Sequence, residues 1–202
     1  MQQERENTLI ERLKETIRTN HHSIGGYTLH RQIVTPLATI DDLAEAEEQL
    51  GFELPPFLKR LYLEVGNGGF GPGYGLLPLN DHHTSSTTLI DSLVANYLGM
   101  RSFSQKDIDK FWTDEEEKPA LWPERVLIIC DWGCNIYSCL NCSSLDLPIL
   151  RMDSHRNFLV EWAIEASSIQ QWLEAWLDEK LPFDFDWEKA IKVHVSHLAY
   201  KT

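Results

Sequence analysis

Four cysteines lie close together in the sequence and form the group best suited to bind a metal: Cys130, Cys134, Cys139 and Cys142. A zinc ribbon needs two close cysteine pairs, each on a tight turn, that converge from two hairpins. Only Cys139 and Cys142 have suitable spacing, because Cys130 falls within a predicted strand and Cys134 in the turn after it. We therefore expect free thiols and no cofactor, with metal binding as the alternative.

The sequence lacks the motifs that usually accompany catalysis. It has no G-x-S-x-G motif, and the glycine-rich run 66–71 lacks the Lys-Ser/Thr pair of a phosphate loop. His194 and His197 have helical spacing, but the sequence offers them no third metal ligand. We therefore predict a protein that is not an enzyme. A metal-dependent enzyme that uses the cysteine or histidine group is the alternative.

The acidic balance of the chain indicates which partners it could bind. The formal net charge is -13. Such a charge argues against binding to nucleic acid or to an anionic membrane and favours a basic protein partner. The acidic run 114–117 is either a solvated loop or a docking element for such a partner. We expect a cytoplasmic location, since no apolar stretch is long enough to span a bilayer and the N-terminus does not resemble a signal peptide.

Residues 39–79 predict two helices, a glycine-rich turn and an edge strand. Thr39 and Asp42 have the pattern of a capping box, and Pro56 suits the first position of the second helix. The strand, 75–79, is placed at an edge because prolines bound it. The boundaries of these elements are set by the following residues: Leu50, Gly51, Leu54, Pro55, Asn67, Gly68 and Gly69.

The second half of the chain predicts an antiparallel sheet. The apolar run 126–130 and the returning segment 136–140 form a hairpin, and 147–152 and 158–163 are further strands. Connections this short favour antiparallel neighbours. Ser168 and Gln171 predict the start of a helix, and Asp186 the start of a last one. We therefore predict an α+β fold in which helices cover a mainly antiparallel sheet of about four to six strands.

The order and spacing of these motifs resemble the SMI1/KNR4 family, also called the SUKH superfamily. The resemblance rests on the segment 40–51, on Leu54-Pro55 and on Asn67-Gly68-Gly69; Trp122-Pro123 and the strand that ends at Trp132-Gly133 are also similar. It covers residues 35–180. We predict a single domain over 1–202, with an N-terminal helix and connector over 1–34, an SMI1/KNR4-like core over 35–180 and a C-terminal helical extension over 181–202.

The resemblance implies a binding protein, since bacterial members of the family often protect cells from their own toxins. We expect an immunity protein that occludes a cognate toxin such as a nuclease, whose basic surface would suit an acidic inhibitor. The candidate contact residues are Asp114, Glu115, Glu116, Glu117, Asp131 and Asp146. Fungal relatives suggest the alternative, a regulatory scaffold that binds several host proteins.

Overall fold

The computed structural model describes residues 2–19, 34–80, 91–111, 121–156, 161–181 and 185–198. Within these ranges the α-helices are α1 (Gln2–Thr19), α2 (Ile40–Leu50), α3 (Pro56–Glu64), α4 (Leu93–Arg101), α5 (Gln105–Phe111) and α6 (Ile169–Leu177). The strands are β1 (Val126–Gly133), β2 (Ile136–Asn141), β3 (Ile149–Asp153), β4 (Glu161–Ala166) and β5 (Lys192–His194), and a 3-10 helix spans Val195–Leu198. The predicted α+β class is confirmed.

The strands form one five-stranded sheet in the order β1-β2-β3-β4-β5, and every neighbouring pair is antiparallel. The predicted antiparallel sheet is therefore confirmed, and its strand number lies in the expected range. The predicted edge strand at 75–79 is shorter than expected. Leu76 forms an isolated bridge to Cys130, and the Leu77 N–H donates to the carbonyl of Ile129, 2.9 Å away. This segment covers the outer edge of β1.

Local sequence signals set the ends of α2 as predicted. The Thr39 hydroxyl accepts a hydrogen bond from the Asp42 N–H, and the Asp42 carboxylate accepts one from the Thr39 N–H, which completes a capping box. Gly51 ends the helix with a φ of 77°. The apolar face of α2, Leu43, Ala46 and Leu50, is buried.

Helices cover the sheet and share its core. Helix α4 packs against β1, and α6 against β4, while α1 lies on α6 and α3. The largest buried side chains include Trp162 on β4 and Trp172 on α6. In the part of the chain that the structure describes, no helix has the length and apolar character needed to cross a membrane.

The C-terminal helix predicted from Asp186 is wrong. Residues 187–190 form turns, and β5 and the 3-10 helix follow. Ile191 is 68% exposed. The chain is extended here because β5 pairs with β4 and satisfies backbone groups along the edge of β4, which a helix in this segment would leave unpaired. The predicted helical extension over 181–202 is therefore a short edge strand with a 3-10 turn where the structure describes it.

Candidate partner-binding surface

Five half-buried or exposed residues, four of them with polar side chains, cluster at the turn between β1 and β2. We call this cluster the turn patch, and it consists of Tyr74, Asp131, Gly133, Asn135 and Tyr137. Asp131 lies directly opposite Tyr137 in the β1–β2 register. Side chains of directly opposite residues share one face of the sheet, with Cβ atoms about 5 Å apart. The hairpin therefore places a carboxylate beside a phenol.

The register of β1 shifts by one residue on either side of this pairing, at Ile129 and at Trp132. Gly133 pairs with Ile136 and Asp131 with Tyr137, so Trp132 is the extra residue of a β-bulge in β1. Its indole instead lies in the interior, where its Nε1–H donates to the Ser138 hydroxyl over 2.7 Å. Without the bulge, Trp132 would lie opposite Tyr137. The two shifts thus direct Asp131 to the surface position next to the tyrosine.

The glycine-rich segment after α3 brings Tyr74 to the same place. The Tyr74 N–H donates to the carbonyl of Asp131 over 2.9 Å. This approach requires a glycine at position 73, since a Cβ there would lie 2.5 Å from the same carbonyl oxygen. The Tyr74 phenol lies over Gly133, where its oxygen would be 3.2 Å from an added Cβ. The two segments are thus packed backbone against backbone.

The electrostatics of the turn patch centre on Asp131. Burial raises the pKa of its carboxyl, and the hydrogen bond from the Gly133 N–H to Oδ1, 2.6 Å long, lowers it. Burial also raises the pKa of Tyr137, and the carboxylates of Asp131 and Asp91 add to that effect. In the described part of the chain, no basic side chain forms an ion pair with Asp131. The patch is thus a negative, partly desolvated surface with aromatic walls.

The structure does not bring the sequence-predicted contact residues together. Asp146 is exposed in the connection between β2 and β3, at the opposite end of β2 from Asp131. Six residues of strand separate the two ends, which corresponds to about 20 Å. Residues Asp114, Glu115, Glu116 and Glu117 lie outside the described residues. Of the predicted contact residues, Asp131 is the one that the structure places in a defined polar cluster.

The predicted motif residues lie mostly in the interior. Leu50, Leu54, Pro55, Asn67 and Gly68 are buried, whereas Gly51 is exposed and Gly69 half-buried. The Asn67 side-chain carbonyl accepts a hydrogen bond from the Leu79 N–H, 2.8 Å away. This bond ties the glycine-rich turn to the segment beside β1, and so supports the position of Tyr74.

Two more motif residues frame the hairpin. Trp122 is buried against Trp162, with ring centroids 5.1 Å apart, and its Nε1–H donates to the carbonyl of Val126. This anchors the chain where β1 begins. Gly133, at the other end of β1, adopts a φ of 85° beneath Tyr74.

The cysteines do not converge on a common point. Cys130 and Cys139 are buried, Cys142 is half-buried and Cys134 is exposed. Burial raises the pKa of the Cys142 thiol to about 12 and that of the Cys139 thiol further. The Cys130 thiol donates to the carbonyl of Pro72, 3.1 Å away. Among the described residues, no group of three or more His, Cys, Asp or Glu side chains is arranged to hold a metal ion.

Sequence reasoning missed a buried ion pair beneath the hairpin. The Arg151 guanidinium donates to Glu165 over 2.9 Å, and the two side chains are 2% and 1% exposed. The Ser138 hydroxyl and the Trp172 Nε1–H also donate to Glu165. Arg151 lies 4.0 Å from the centroid of the Trp132 ring. Arg151 inside the predicted strand 147–152 was the available signal, but Glu165 lies beyond the predicted strand 158–163, and the pairing of the two depends on strand register.

The chain thus forms an α+β domain with a polar surface at the β1–β2 end of an antiparallel sheet. The SMI1/KNR4 family (SUKH-1) matches residues 37–178, so the chain belongs to this family, as its motifs predicted. A comparison with curated protein sequences gave no match.

Proposed function

We propose that this protein is an immunity protein that neutralises a toxin by binding to it and covering its working surface. The family match over residues 37–178 carries this proposal, because members of the family are commonly immunity proteins. A mechanism of this kind needs a complementary surface and no catalytic group.

The charge of the chain supports a basic toxin as the partner. The net charge is -13, which would attract a protein whose surface holds phosphates, such as a nuclease. Opposite charge speeds encounter, and the contacts formed afterwards set the lifetime of the complex. We propose Asp114, Glu115, Glu116, Glu117, Asp131 and Asp146 as the contact residues. The run 114–117 would act mainly in steering, because four neighbouring carboxylates favour hydration.

Affinity capture from the native host tests the proposal. The tagged protein is used as bait at low and at high salt, and bound proteins are identified by mass spectrometry and quantified. A single basic partner with a toxin-like activity, bound in stoichiometric amount and inhibited by the purified protein, is the expected result. Several host proteins at low occupancy would favour the regulatory scaffold. A captured toxin whose activity is unchanged by the bound protein would contradict the immunity role.

Charge reversal tests the steering step once the toxin is purified. We expect the triple variant Glu115→Lys, Glu116→Lys and Glu117→Lys to slow association about tenfold or more at low salt. The control variant Glu4→Lys, Glu48→Lys and Glu188→Lys reverses three exposed carboxylates elsewhere. Stopped-flow mixing over a range of salt concentrations measures both. Equal rates in the two variants would show that only total charge matters, and unchanged, salt-independent rates would contradict steering.

A further inference from the structure

We propose that the turn patch is the centre of the partner interface and that it receives a cationic side chain, arginine or lysine, from the partner. This inference rests on the proposed function, because it assigns the surface that the toxin would contact. The carboxylate of Asp131 would pair with the cation, and the rings of Tyr137 and Tyr74 would flank it.

Several half-buried carboxylates pair with a cationic side chain of the chain itself. Glu6 and Glu64 pair with Arg60, and Glu47 pairs with Lys59 over 2.7 Å. Asp153, near the same end of the sheet, forms an ion pair with Arg156 over 3.7 Å. Asp131 is half-buried as well, and its described hydrogen bond comes from a backbone N–H. A desolvated carboxylate favours a cation because the attraction is stronger away from bulk water.

Two tyrosines surround Asp131 on this surface. Tyrosine presents a large and rigid contact area, and its ring face attracts cations. Tyrosine is also common among residues that dominate the binding energy of interfaces. Tyr137 lies across from Asp131, and Tyr74 over the adjacent Gly133. The patch therefore offers a cation both a charge partner and an aromatic wall, which an isolated carboxylate does not.

A tight turn and a backbone hydrogen bond hold the turn patch in place. Cys134 and Asn135 form a two-residue turn with φ values of 53° and 57°, typical of the tight hairpin turn that follows the twist of the strands. The backbone bond from Tyr74 to Asp131 fixes the second tyrosine to the hairpin. A preformed site loses little conformational entropy on binding. The elements that fix it are the bulge, the turn and the glycine-rich segment.

A small probe tests the site without the toxin. Capped arginine (N-acetyl-arginine methylamide) is titrated into the ¹⁵N-labelled protein at low salt, and backbone amide shifts are followed by NMR. Capped citrulline, of similar shape but neutral, is the matched ligand. We expect saturable shifts centred on Gly133, Asn135 and Tyr137 with arginine, and shifts at least about fivefold weaker with citrulline.

Variants separate local recognition from total charge. Asp131→Asn keeps an acceptor for the Gly133 N–H and should weaken arginine binding at the patch at least about fivefold. Glu48→Gln removes one exposed charge on α2 and should leave binding within about twofold. Tyr137→Leu should also weaken binding, because it removes the aromatic wall. Arginine shifts spread equally over many acidic sites, no saturable shift at the patch, or equal effects of Asp131→Asn and Glu48→Gln would overturn the proposal.

A captured toxin provides the second arm of the test. Asp131→Asn should raise its dissociation rate about 30-fold or more, whereas Glu48→Gln should change it less than threefold. A toxin that binds both variants as it binds the unaltered protein would overturn the assignment of the surface and leave the immunity function standing. A host without any toxin partner would instead contradict the proposed function, while the arginine titration would still report on the patch.

Discussion

Asp131 is less stable as a carboxylate in the folded protein than in the unfolded chain. Burial raises the pKa of its carboxyl above the ordinary value of 3.8. The folded state therefore binds more protons than the unfolded state between that value and the raised pKa. Stability should fall as pH rises through this window, and the loss persists at neutral pH. A carboxylate that lowers the stability of the fold at neutral pH is better explained by a role in binding than by a role in stability.

We predict that Asp131→Asn raises the free energy of unfolding at neutral pH. The amide keeps the acceptor for the Gly133 N–H but carries no charge to desolvate. Urea unfolding at several pH values measures the effect, and the gain should shrink as the pH drops below the raised pKa. Asp146→Asn, at an exposed site, is the control and should change stability by less than about 0.5 kcal/mol. A lower stability of Asp131→Asn at neutral pH would contradict the prediction.

For the buried pair of Arg151 and Glu165 we expect the opposite effect: removal of the carboxylate charge should destabilise the protein. Glu165→Gln would leave the guanidinium buried without its counter-charge, and the amide NH2 would replace one of the two acceptor oxygens, so that it faces the donor of either Ser138 or Trp172. We expect a loss of about 3–5 kcal/mol in unfolding free energy. The control Glu174→Gln breaks the exposed pair with Arg5 and should cost less than about 1 kcal/mol. Urea unfolding measures both variants. A loss for Glu165→Gln as small as that of the control would show that the buried network contributes little.

At the scale of elements, signals that act over a few residues were predictable from the sequence. The capping box of Thr39 and Asp42 and the helix start at Ser168 depend on neighbours three residues apart, and the structure contains both. The hairpin also followed from the strand pattern. Its pairing of Asp131 with Tyr137 did not, because the bulge at Trp132 shifts the register by one residue. The core of the candidate site therefore required the structure.

The C-terminal segment shows why the remaining elements could not be predicted. Residues 186–198 have helical spacing, but Phe185 and Trp187 contact distant residues. Arg151 lies 5.4 Å from the Phe185 ring, and Arg156 lies 4.8 Å from the Trp187 ring. These contacts and the pairing of β5 with β4 are far apart in sequence. Such tertiary interactions override local helix propensity.

The glycine-rich turn gives a prediction at the element scale. Gly68 has a φ of 91°, and a Cβ there would lie 2.7 Å from the backbone oxygen of Leu76. We expect Gly68→Ala to destabilise the fold by about 2 kcal/mol or more, since both the backbone conformation and the contact oppose a side chain. Gly99, within α4, has open space around it. Gly99→Ala should therefore stabilise the protein by about 0.5–1 kcal/mol.

Thermal and urea unfolding of the two glycine variants measure this difference. Amide shifts of Gly133 and Asn135 should also change in Gly68→Ala, because the turn holds the segment that carries Tyr74. The same shifts should stay in place in Gly99→Ala. Two variants of equal stability would contradict the steric argument for the turn.

At the scale of the whole molecule, α1 lies outside the family match and still contributes to the core. Leu9, Ile10 and Leu13 are buried. Ion pairs connect the helix to its neighbours, including Arg5 with Glu174 and Arg12 with Asp178. These pairs are exposed and contribute little stability. The apolar contacts therefore attach α1, and they favour the prediction that residues 1–202 unfold as a single domain.

Leu13→Ala tests that prediction. The Leu13 side chain is 0% exposed, so its truncation should lower the unfolding free energy of the whole protein by about 2–5 kcal/mol. Thr8→Ala, at an exposed position of the same helix, should change it by less than about 0.5 kcal/mol. Urea unfolding followed by circular dichroism and by tryptophan fluorescence should give coincident single transitions for both variants, because α1 packs on the helix that carries Trp172 and Trp176. An early circular-dichroism transition with unchanged fluorescence would mean that α1 unfolds separately, and the domain would then begin near residue 37.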